Sequence, residues 1–163
     1  MLALDRPGML DDAIVVHEVT AGAEFAIGPF RAQTRLLPHW VPNAGLRISA
    51  GGRVFAYTGD SGPSDDVVAL ARDADLLLAE ATHPHPVPED ARAYLCSPRD
   101  AGRQAHRAGV RRLLLTHLWP GTDPTAALAE AAAEYRGDTE VAVPGVVADL
   151  DSTEGRQQRF IVR

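Results

Sequence analysis

Three residues far apart along this sequence, His39, Asp60 and His117, could hold a metal ion. Each stands where an apolar, strand-like run stops. Arg53-Val54-Phe55-Ala56-Tyr57-Thr58 runs into Gly59-Asp60, Arg111-Arg112-Leu113-Leu114-Leu115-Thr116 runs into His117, and Phe30 to Leu37 leads to Pro38-His39. Imidazole nitrogen and carboxylate oxygen are donors that zinc accepts, and a catalytic zinc keeps one position open for water. An aspartate with two oxygens can bridge two ions about 3.5–4 Å apart. The chemistry to expect from such a set is hydrolysis by an activated water.

Other polar residues have plainer readings. Glu80 ends a third apolar run and is expected to serve as a hydrogen-bonding residue behind the ligands. His83 and His85 lie two apart in a proline-rich stretch that holds the chain extended. They read first as an exposed loop and only second as a metal pair. Cys96 lacks a matched histidine and reads as a small buried side chain. His106 is expected on a solvated helix face, and His17 in a strand. Arg111-Arg112 is a short charge pair, too little to bind nucleic acid.

The elements that must position these residues are legible in outline. Ala13 to Val19 is β-branched and reads as a strand. A break at Gly28-Pro29 separates Phe25-Ala26-Ile27 from Phe30 to Leu37. Gly45 to Ala50 and Arg53 to Thr58, joined by Gly51-Gly52, form a hairpin. Beyond Asp60 the period changes. Ser64 caps a helix with Asp65 and Asp66 in its positively polarised first turn. Asp75 to Ala81 is a continuous apolar run, as expected of a strand covered on both faces. Ser97 caps a second helix with Pro98 at its first position and Gly109 as its stop. A third helix starts at Thr122 or Asp123, followed by a strand at Thr139 to Val143. Val146 to Leu150 and Arg159 to Val162 read as edge strands. The order is strand-rich, then three βα-like units, in one domain over residues 1–163.

Composition narrows the function. Of 163 residues 45% are hydrophobic and 23% charged, which is ordinary for a soluble domain. The net charge of −6 argues against broad attraction to nucleic acid or anionic lipid. With one cysteine there is no internal disulfide, which suits a reducing cytoplasm. No apolar run approaches the length of a membrane span. No strand is followed by a glycine-rich phosphate loop, which disfavours a nucleotide-binding doubly wound domain.

Four segments together resemble a known family. Tyr57-Thr58-Gly59-Asp60-Ser61-Gly62, followed by an acidic capped helix, is similar to the Gly-Asp-Thr-Gly segment of metallo-β-lactamase-fold hydrolases, in particular the branch of tRNase Z-like phosphodiesterases. His39 to Ile48 resembles that branch's segment bearing a metal-binding histidine. Leu78-Ala79-Glu80-Ala81-Thr82 resembles its His-Glu-Ala-Thr box, and Leu115-Thr116-His117 the strand whose terminal histidine binds the second metal. Order and spacing agree from about residue 24 to residue 150.

This resemblance implies an α/β protein with the αββα sandwich of that family. It implies zinc, as one or two ions, held by His39, Asp60 and His117 with Asp60 bridging, and hydrolysis of a phosphodiester or another ester in a small-molecule substrate. The family's His-x-His-x-Asp-His motif does not occur in this sequence. The chain is therefore expected to correspond to the C-terminal part of the fold, with about half of the family's ligand set. The histidine expected to handle protons near the leaving group is matched by Tyr94. The alternative expectation is a non-catalytic interaction protein from the same fold: half a sandwich leaves a sheet face uncovered, and homo-oligomerisation would bury it.

Overall fold

The computed structural model describes residues 15–150. Among them, seven strands form one sheet in sequence order: β1 (Glu24–Ile27), β2 (Phe30–Leu37), β3 (Asn43–Ala50), β4 (Arg53–Tyr57), β5 (Leu76–Glu80), β6 (Arg112–Thr116) and β7 (Asp138–Val141). The first four strands are an antiparallel meander, and β4 to β7 pair in parallel. Parallel neighbours need a crossover, and the helices provide it. α1 (Asp65–Ala71), α2 (Pro98–Ala108) and α3 (Pro124–Ala132) each lie between two parallel strands in the chain. The mixed sheet with three helices is the α/β class expected.

Helix boundaries follow their caps. The Ser64 hydroxyl accepts from the Val67 amide, and Ser97 and Asp100 form a reciprocal capping box at the start of α2. Gly109, at φ 68°, closes α2 in the left-handed conformation a β-carbon disfavours. Asp123 is the cap of α3, with Pro124 inside it.

The core lies between the sheet and α2 and α3. Leu77, Ala79, Leu113 and Leu115 face Ala101, Ala105, Ala108, Ala127 and Ala131, all buried. Small residues on the helices let the backbones approach closely, and Gly102 has no room for a β-carbon beside the Ala131 carbonyl. A second cluster, Leu37 with Val67 and Leu70, seats α1 on the antiparallel half.

Some expected strands are absent. Of the strand expected over Ala13 to Val19, residues 13–14 lie outside the described residues, and residues 15–19 are irregular and exposed, so His17 is in no strand. Residues 146–150 are not a strand either; the Val146 amide closes a turn onto the Val143 carbonyl. β-branched composition alone does not make a strand where no neighbouring edge pairs with it. The expected strand at Arg159 to Val162 lies outside the described residues. Arg111 and Arg112 are ion-paired, Arg111 with Asp75 at 2.8 Å and Arg112 with Asp138 at 3.1 Å.

Candidate metal centre

The topology brings the ends of four strands to one edge. β2 and β4 are both antiparallel to β3, so they share a direction, and β5 and β6 run parallel to β4. His39 follows β2, Asp60 follows β4, Glu80 ends β5 and His117 follows β6. This is where an α/β sheet offers its ligand crevice.

Asp60 and His117 meet. The His117 Nδ1 lies 3.2 Å from Asp60 Oδ1 and 2.9 Å from the Thr82 hydroxyl oxygen. Both side chains are about half exposed, 47% for Asp60 and 51% for His117, so a ligand can reach them. His117 has φ 57°, which a non-glycine residue adopts at a cost of about 1–2 kcal/mol. Contacts on either side hold it there. The Ala81 amide donates to the Thr116 carbonyl at 2.9 Å, and the Trp119 amide to the Thr82 carbonyl at 3.1 Å.

The Asp60 loop is bolted in place. Gly59 is at φ 60°, and a β-carbon there would collide with the Asn43 side-chain oxygen. Asn43, the lone asparagine of the sequence, donates from Nδ2 to the Thr58 carbonyl at 3.0 Å. The Thr58 hydroxyl accepts from the Glu80 amide at 3.1 Å, joining the ends of β4 and β5.

His39 sits on the adjoining loop. Its Nδ1 is 3.1 Å from the Tyr94 carbonyl oxygen. The Gly62 amide donates to the Pro38 carbonyl at 2.9 Å, tying the His39 loop to the Asp60 loop. Gly62 in turn packs so closely on the Ala93 backbone that no β-carbon fits. Trp40 lies edge-on to His39 with ring centres 5.2 Å apart, and tilted over Tyr94 at 5.3 Å. Among the described residues no group of three or more His, Cys, Asp or Glu side chains is drawn together in ligating arrangement. The geometry thus joins Asp60 with His117 directly, and His39 through the loop backbone.

Behind the pair lies Glu80, 1% exposed. Its Oε1 accepts from the Ser61 amide, and its Oε2 from both the amide and the hydroxyl of Thr82. Burial pushes its carboxyl up, and these bonds with the Cys96 amide pull against that rise. Buried carboxylates are tolerated when their lone pairs are filled in this way. The expected hydrogen-bonding role of Glu80 has this form, and Thr82 is the residue sequence reasoning missed. Its signal was available: it stands two residues past Glu80, on the same side of an extended chain.

The remaining histidines stand apart from this cluster. His83 Nδ1 is 2.7 Å from the Pro84 carbonyl, the His85 amide donates to Glu130, and His106 is exposed on α2. Cys96 is buried, and burial drives its thiol well above the usual range, which suits an inert packing residue.

The donor set fits zinc in kind: two imidazoles and a carboxylate. Metal-binding histidines donate their second ring N–H to a carbonyl, hydroxyl or carboxylate; here His39 Nδ1 faces the Tyr94 carbonyl and His117 Nδ1 the Thr82 hydroxyl.

Comparison with known proteins bears on the family and the fold. Residues 3–118 match the beta-lactamase superfamily domain. An uncharacterized protein of Mycobacterium leprae is 36% identical over 151 residues, covering 90% of this chain and 53% of its own. The ribonuclease Z of Myxococcus xanthus is 41% identical over 102 residues, 61% of this chain and 33% of its own. Among solved structures, the metallo-beta-lactamase fold protein YhfI from Bacillus subtilis superposes with a TM-score of 0.71 at 28% identity, over 76% of this chain and 51% of that one. The human short-form tRNase Z gives 0.53 at 29% identity, over 59% and 38%. The chain spans about half the length of the first curated relatives it matches.

Proposed function

Since this chain belongs to the beta-lactamase superfamily, we propose that it is the part of a zinc-dependent hydrolase that carries His39, Asp60 and His117 as metal ligands. The observation behind this reading is the contact of His117 with Asp60 at the shared strand edge, 3.2 Å apart, with His117 in a left-handed conformation. Strained backbone at a strand end marks functional positions more often than packing ones.

When bound, zinc supplies a Lewis acid that polarises an ester and activates water for attack. The chain's own residues do the positioning. Tyr94 holds the His39 ring through its carbonyl, Asn43 and Thr58 fix the loop that presents Asp60, and Thr82 orients His117. The substrate class we assign is a phosphodiester or another ester, on the strength of the ribonuclease Z relatives. The net charge of −6 favours a small molecule over a long nucleic acid.

The test is zinc per chain after equilibration, with hydrolysis of bis(p-nitrophenyl) phosphate and p-nitrophenyl acetate, for wild type and Asp60→Ala. Zinc retained by wild type and lost in the variant supports the site. Zinc-free wild type overturns it, and ester turnover without phosphodiester turnover reassigns the substrate.

A second reading, a homo-oligomer, is favoured by Phe30 and Leu36 of β2, which are 48% and 58% exposed. Both lie at even positions of a strand whose Leu37 faces α1, so they share the opposite sheet face. Sedimentation as a single-chain species at all concentrations would rule it out.

A further inference from the structure

We propose that Thr82 is a positioning residue that fixes the neutral His117 ring with its proton on Nδ1, leaving the Nε2 lone pair for a ligand. Hydrogen-bond direction carries the inference. Glu80 Oε1 and Oε2 are acceptors for the Ser61 amide, the Thr82 amide and the Thr82 hydroxyl, with the Cys96 amide as a further donor. An ionised carboxylate can only accept. The single hydroxyl proton of Thr82 is therefore committed to Glu80, and its oxygen has only lone pairs to offer His117 Nδ1 at 2.9 Å. A ring nitrogen facing a pure acceptor must carry the proton. Asp60 Oδ1, the other group facing this nitrogen, is also an acceptor at 3.2 Å. Three strand ends thereby act in series: the β4 loop and β5 saturate Glu80, Glu80 orients Thr82, and Thr82 orients the residue after β6.

Histidine free in water prefers its proton on Nε2, so the inferred tautomer has to be imposed by the protein. This would matter for zinc, which binds a bare nitrogen. Only that consequence rests on the proposed ligand role of His117; the tautomer itself does not.

The experiment is long-range 1H–15N correlation NMR of metal-free, 15N-labelled protein at a pH where imidazoles are neutral, with His117 identified by loss of its signals in His117→Gln. Wild type should show a protonated-type Nδ1 and a bare-type Nε2. Because Asp60 also faces Nδ1, Thr82 is tested in Asp60→Ala protein, where Thr82→Val, similar in shape but without the hydroxyl, should shift His117 toward the Nε2–H form. Thr82→Ser should restore the wild-type pattern, which a merely structural role would not require.

Wild type in the Nε2–H form, or a Thr82→Val, Asp60→Ala pattern equal to that of Asp60→Ala alone, overturns the proposal. So does a change of tautomer in Asp60→Ala alone, which would assign the role to Asp60. The Nδ1–H form in a wild type that takes up no zinc leaves the tautomer established and rejects the metal-site reading. Zinc binding with an unmoved tautomer does the reverse.

Discussion

The two halves of the sheet differ in what covers them, and that difference locates the chemistry. In the parallel half, β5 and β6 are almost wholly buried and their sequences are continuous apolar runs, Leu76-Leu77-Leu78-Ala79 and Leu113-Leu114-Leu115. In the antiparallel half, β2 mixes buried Ala32 and Leu37 with exposed Arg31, Gln33, Arg35 and Leu36. Polar groups are scarce where strands are buried, so those that appear at the ends of β4, β5 and β6 stand out and bond to one another. Thr58, Glu80, Thr82 and His117 form a connected set there. The antiparallel half contributes His39 through a loop and Asn43, which donates to the Thr58 carbonyl, while other polar residues there meet solvent or the end of α1. Arg47, for example, donates to the carbonyls of Leu70 and Arg72 at the helix end.

The comparison breaks first at Glu80. Glu80→Ala orphans buried donors at about 1–3 kcal/mol each, so the edge is expected to lose several kcal/mol. Urea unfolding measures it; a loss no larger than that of a surface substitution would mean the strand-end network is not holding the parallel half together.

Next in size is the contrast between leucines. Leu115, fully buried, should cost about 2–5 kcal/mol as Leu115→Ala. Leu36, 58% exposed, should stay within about 0.5 kcal/mol as Leu36→Ala. Equal losses would show that something covers the antiparallel half in solution.

A third effect is smaller and depends on pH. Asp75 bridges the start of β5 to both neighbours, accepting from the Val54 amide at 2.9 Å, Arg53 at 3.1 Å and Arg111 at 2.8 Å. Burial pushes its carboxyl up, but the Val54 amide and the two guanidiniums more than reverse this and leave it below the usual range. A carboxyl lowered on folding stabilises above its unfolded value, and that stabilisation fades as pH falls through the lowered folded value. Asp75→Asn should therefore cost about 1–3 kcal/mol near neutrality. The gap from wild type should close in acid, below the ordinary carboxylate range. A gap independent of pH would assign the effect to packing alone.

How much of this was legible in the sequence follows from the same contrast. The parallel units announced themselves because a strand buried on both faces must be apolar throughout, and because Ser64, Ser97 and Asp123 cap their helices with their own side chains. Asp60 and His117 could be found because they interrupt such runs at their ends. Residues 15–19 and 146–150 misled, since valines there have strand composition with no paired edge. Thr82 was missed although its spacing from Glu80 put it on the same side of the chain, because its approach to His117 joins residues 35 positions apart. His39 was legible as a strand-end histidine, while its tie to the Tyr94 carbonyl comes from residues 55 positions away.

The central claim is that the ends of β2, β4 and β6 form one metal centre around Asp60. Anomalous diffraction at the zinc edge, from crystals of the zinc-equilibrated protein, tests it most directly. The account predicts a peak about 2.0–2.2 Å from an Asp60 oxygen and from a nitrogen of His39 or His117. A peak at His83 and His85 with none between Asp60 and His117 would contradict it.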